Sequence, residues 1–135
     1  MNEYQKRNFC NHDASLALRG LGYKEKSIAV HYSESLFEVW QKDIYMNSVP
    51  NCIAAPTFLD AIAYLWIEHG IDVVVHVLTY TAAMEGYYHW SVDELIEDKF
   101  DMFTQLEGEE KTRHQAYNTS IIKACEYIKK GEKDE

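Results

Sequence analysis

Apolar and polar positions alternate with two different periods along this chain, and each switch of period marks an element. Ala14, Ala17, Leu18 and Leu21 recur at the i, i+3, i+4, i+7 spacing of one helix face. Asp13 precedes them as an N-cap, and Gly22 followed by Tyr23 forms a helix stop. "SIAVHY" and "SLFEVWQ" then bring β-branched and aromatic residues to either side of Ser33-Glu34, the pattern of a hairpin. A two-residue turn there places Ile28, Val30, Tyr32, Phe37 and Val39 on a core face. Ala29, His31, Leu36, Glu38 and Trp40 fall on the other.

The helical period returns in "APTFLDAIAYLWIEHGI", residues 55–71. Thr57 with Asp60 makes a capping-box-like start, and Gly70 is the stop. Between Thr57 and Glu68 the only charged side chain is Asp60. Phe58, Ala61, Ile62 and Leu65 belong on a sheet, but the surplus near Ala63, Tyr64 and Ile67 needs a second cover. "IDVVVHVLTYTAAMEGYYHWSV" is a second hairpin. Its alternation gives a core face of Val73, Val75, Val77, Tyr88, Trp90 and Val92. Val74, His76, Leu78, Tyr80, Tyr87, His89 and Ser91 share the opposite face.

Ser91 to Glu94 matches a capping box, and residues 93–112 read as an apolar and acidic insertion. That insertion, or a dimer partner, is expected to lie over the central helix at Tyr64 and Ile67. Thr112-Arg-His-Gln115 opens a last helix with Tyr117, Ile121, Ala124 and Ile128 as its buried stripe. Residues 1–12 read as a loose arm and 131–135 as a frayed tail. The whole predicts a single α+β domain of order α-β-β-α-β-β-α. Its sheet is expected to be four-stranded and mainly antiparallel, with helices on one face.

The net charge of −9 is unevenly spread: residues 43–98 hold nine acids and no Lys or Arg. Nucleic-acid binding needs clustered cations to displace phosphate counterions, so none is expected. An acidic inhibitor that mimics nucleic acid is a further alternative. The first residues, "MNEYQKRNFCNHD", lack the apolar region of a signal peptide. No apolar run nears the ~20 residues that span a bilayer, so the expected location is cytoplasmic, without membrane contact. Cys10, Cys52 and Cys125 are widely spaced and read as free thiols.

Candidate chemistry gathers on the sheet face away from the core. His31, Trp40, His76, Tyr87 and His89 would share it as a ligand or partner face. His76 and His89 become cross-strand neighbours if the hairpin loops around residues 81–84. A zinc site would need three or four such ligands, and no H-E-x-x-H spacing is present, so neither metal nor cofactor is expected. Cys10-Asn11-His12 puts a thiol near an imidazole, but in the expected arm. No catalytic residue is assigned.

Three segments, "SLALRGLGYKE" (15–25), "IAAPTFLDAIAYLWIEHGI" (53–71) and "SIIKACEYIKK" (120–130), occur in this order. Together they resemble small uncharacterised proteins of bacteriophages, prophages and gut Bacteroides-type bacteria. Those share an "ALxLKELGF"-like first helix and an "APTxxEAIxWFREKHGI"-like central helix. In this chain Ala63, Leu65 and Ile67 stand where the family usually carries charge. The resemblance implies a fold and no activity. The expected role is thus a non-catalytic accessory protein acting through protein contacts, as a homodimer or on a host or phage protein. The alternative is a small enzyme or ligand-binding domain using the sheet-face histidines.

Overall fold

The computed structural model describes residues 6–77, 87–96 and 101–133. Its elements are α1 (His12–Gly20), β1 (Ser27–His31), β2 (Phe37–Ile44), a single 3-10 turn (Met46–Ser48), β3 (Ile53–Ala54), α2 (Phe58–His69), β4 (Ile71–Val77), β5 (Tyr88–Ile96), β6 (Asp101–Glu110) and α3 (Arg113–Lys133). The α+β class stands. The expected single four-stranded sheet does not: there are two antiparallel three-stranded sheets, ordered β2-β1-β3 and β4-β5-β6.

The helix ends follow from local chemistry. Asn11, not Asp13, caps α1, its side chain accepting from Ala14 N at 2.9 Å. At the other end Tyr23 N donates to Leu18 O and Gly22 N to Arg19 O, each at 3.0 Å. That pair of bonds is a Schellman motif, and it needs the positive φ of +100° at Gly22. In α2, Thr57 Oγ1 accepts from Asp60 N, and Gly70 closes the helix in the left-handed conformation. Thr112 Oγ1 accepts from Gln115 N at the start of α3.

Most of the core is built on α3. It packs against α1, α2 and all three strands of the second sheet. Ala116, Ser120 and Ala124 recur at i, i+4, i+8 and are each 0% exposed. Such small side chains let a neighbouring backbone come close. The buried side of α1 is Ala14, Ser15 and Leu18. Asn11 N donates to Asn118 Oδ1, while Gly20 lies beside Lys129, so α1 and α3 run parallel. Residues 8–10, placed by the sequence in a loose arm, are tied to the start of α2. Cys10 N donates to Pro56 O, and Phe58 N to Asn8 O.

The stretch read as an insertion is strand. Residues 91–94 lie inside β5, and their apparent capping box is overridden by pairing with β4 and β6. Residues 101–110 form β6, which closes the sheet instead of covering α2. The Trp90 ring lies over Gly108 of β6. A Cβ at that glycine would fall 2.6 Å from the indole. Gly108→Ala is therefore expected to lower stability by about 1–3 kcal/mol through overpacking. Leu65→Ala, at a fully buried core position of α2, is expected to cost about 2–5 kcal/mol. Urea denaturation of both variants checks these values.

Candidate functional site

The five residues expected on one face are divided between the two sheets. His31 and Trp40 belong to the first sheet, His76 and His89 to the second, and Tyr87 immediately precedes β5. The split begins in the β1–β2 register. His31 pairs with Phe37 and Val30 with Glu38, so the turn is one residue longer than two. His31 is only 6% exposed although Val30 beside it stays buried too, because β1 is the central strand and the Cys10 segment lies against His31, while Ile28 of the expected core face is 39% exposed. Trp40 stays outside, with Nε1 donating to Tyr32 OH at 3.2 Å.

The second hairpin has the register that makes His76 and His89 cross-strand neighbours. Val73 pairs with Val92, Val75 with Trp90, and His76 with His89. The turn at residues 81–84, with Leu78 and Tyr80, lies outside the described residues. The two imidazoles stand with ring centroids 5.0 Å apart, and His89 Nε2 lies 3.4 Å from Glu107 Oε2. One end of the same face carries the cross-strand pair Asp72 and Asp93. Partial burial and the nearby Asp93 charge push the Asp72 carboxyl above its usual range. This face therefore offers two imidazoles among carboxylates, with the helices packed on the opposite side.

The tighter constellation is elsewhere. The N-terminal residues of all three helices come to one end of the molecule, around two adjoining cavities. One, of about 440 Å³, is lined by Arg7, His12, His31, Glu34, His114 and Asn118 among others. The other, of about 380 Å³, is lined by Arg7, Phe58, Tyr88, Lys111, Arg113 and His114 among others. His31 Nε2 donates to Cys10 O at 2.9 Å, which leaves Nδ1 as a shielded lone pair with no hydrogen-bond partner. Burial lowers the pKa of His31, and burial together with Arg7 lowers that of His114. Both imidazoles are thereby held neutral near pH 7. Burial pushes the Cys10 thiol far up, which leaves it non-nucleophilic.

His12, Asp13 and Glu34 bring three ligand atoms within 4.8 Å of one another. Two parallel helix N-termini lie beside them, however, and such positive ends stabilise the carboxylates and oppose a cation. Sequence reading missed this assembly because Arg7, His31 and His114 are far apart in the chain. The one local signal was Cys10-Asn11-His12, which was assigned to an arm.

The third candidate surface is α2. Tyr64 is half-buried, edge-on to Tyr23 with centroids 4.9 Å apart. Ile67 is 74% exposed, Leu59 77% and Trp66 44%, and no described element covers them. The expectation that residues 93–112 cover this helix is overturned. Beside it runs a groove of about 600 Å³ lined by Tyr23, Asp43, Tyr45, Asp60, Tyr64 and Ile67 among others. No helix of the described residues is long and apolar enough to cross a membrane. Comparison with known protein families, with curated proteins and with solved structures finds no match to this chain.

The like-charged Asp72–Asp93 pair generates a pH-dependent prediction. A carboxyl whose pKa is raised on folding favours the folded state at low pH, and that stability is lost as pH rises through the raised value. At pH 7 the pair therefore opposes folding. Asp72→Asn is expected to stabilise by about 0.2–1 kcal/mol at pH 7, a gain that shrinks toward pH 4. Urea midpoints of both proteins across that range check it.

Proposed function

We propose that this protein works through protein contacts made by the outer face of α2, and that the first such contact is with a second copy of itself. The observation that carries this reading is the exposed stripe of Leu59, Ala63, Trp66 and Ile67 on an otherwise well-capped helix. Contiguous exposed apolar surface is costly for a monomer and usually marks an interaction site.

The stripe is suited to pairing with itself. Leu59, Ala63 and Ile67 form an i±4 ridge whose middle member is small. Two such ridges interdigitate with helix axes crossing at about −50°. A two-fold axis at Ala63 sets Leu59 of one copy against Ile67 of the partner subunit. Asp60 and Glu68 then lie at the flanks and not in the centre. The resemblance to small phage-type proteins that carry no catalytic motif is in keeping with an accessory role. Nothing in the α2 stripe requires bond-making chemistry.

Ile67→Asp puts a charge into this contact without touching the core. Sedimentation equilibrium at micromolar concentration is expected to show a dimer for the native chain and a monomer for the variant. Because Ile67 is exposed, the stability of the monomeric unit should change by no more than about 0.5 kcal/mol. A native chain that stays strictly monomeric overturns the proposal.

A further inference from the structure

A chain with nine more acids than bases nevertheless gathers cations at one end. Arg7, Lys111 and Arg113 line the smaller of the two adjoining cavities with His114, and among the described residues no carboxylate lines it. Arg7 and Arg113 are separated by most of the sequence, so only the fold brings them together. Among the described residues, none of these three cations forms a salt bridge. Arg113 instead lies over the Tyr117 ring, its guanidinium carbon 5.1 Å from the centroid. Cations that line one cavity repel one another, and an anion between them would relieve that repulsion.

The backbone adds to the same field. The first residue of α2, Phe58, and the first two of α3, Arg113 and His114, line this cavity, and the first of α1, His12, lines its neighbour. The leading N–H groups of a helix have no acceptor within it, and its dipole presents positive charge there. The cluster of Arg7, Lys111 and Arg113 around one cavity is independent of these helix ends.

We propose that these joined cavities bind a small molecule bearing a phosphate group, held by Arg7, Lys111, Arg113 and the first turn of α3. Phosphate is the class favoured, because its several oxygens match several cations and a helix end at once. Phe58 and Tyr88 line the same cavity and would take an apolar or aromatic part of the ligand. The site is distinct from the α2 stripe, so it stands or falls independently of self-association.

Titration of the ¹⁵N-labelled protein with phenyl phosphate, inorganic phosphate and acetate, followed by amide shifts, tests this. Saturable shifts are expected at His12, Arg113 and His114. Phenyl phosphate should bind more tightly than inorganic phosphate, and both more tightly than acetate. Arg7→Gln, at an exposed position, should weaken phenyl phosphate binding on the order of 10–100-fold, as loss of a charge-assisted hydrogen bond does. Lys24→Gln, at an exposed position outside both cavities, should leave it unchanged. Shifts that never saturate, that are equal in the Arg7→Gln protein, or that favour acetate would each overturn the proposal.

Discussion

The packing of α3 is the constraint on which the rest of the structure depends. One helix has to serve as the floor for α1, for α2 and for a whole sheet. It does so by presenting small side chains where backbones must come close and one larger buried aliphatic, Ile121, beside them. Ala116, Ser120 and Ala124 leave room, and the Ser120 hydroxyl is satisfied by donating to Tyr117 O at 3.0 Å. Farther along, Tyr127 hydrogen-bonds Glu94 of β5 through its hydroxyl, which ties the helix to the sheet. That bond, with some burial, pushes the tyrosine pKa up to about 12. The parallel run of α1 and α3 has a direct electrostatic consequence. It sets two helix N-termini side by side, so positive potential and titratable side chains collect at one end.

Much of this was legible in the sequence, but only where the determinants were local. Thr57 and Gly70 bound α2 as their chemistry requires, and Thr112 starts α3. The alternation in residues 71–77 and 88–92 assigns His76 and His89 to one face of the β4–β5 pair, while their direct pairing depended on the turn. What was not legible depended on the partner of each segment. The β1–β2 turn differs from expectation by one residue, and His31 is buried against Cys10, which lies in a segment read as a loose arm. The strand β6 is hidden by its acids, because an edge strand needs an apolar residue only where it meets the helix layer. The third strand of the first sheet is β3, a strand of two residues that no periodicity can reveal. The cation-lined cavities combine residues from opposite ends of the chain, so no motif announces them.

The helix α2 shows how a local pattern leaves an apolar surface exposed. Its inner face is used up on the core, with Phe58 stacked on Tyr117 at 4.8 Å and Leu65 fully buried. Its caps are sound, so its outer apolar residues are not a sign of a misassigned element. They remain exposed because the segment that might have covered them is occupied in closing the second sheet. An apolar stripe on a rigid, capped helix is already arranged for docking, which reduces the ordering cost of association.

The central claim is that α2 meets its own copy about Ala63, and a cross-link at that residue tests it most directly. In a two-fold pairing the two Ala63 positions face each other, within reach of the geometry a disulfide requires. The three natural cysteines are buried and free, so they compete little. Mild oxidation of the Ala63→Cys protein should give a covalent dimer rapidly and nearly completely, whereas Leu16→Cys on the exposed side of α1 should not. An Ala63→Cys protein that stays monomeric, or cross-links no faster than the Leu16→Cys control, would contradict the account.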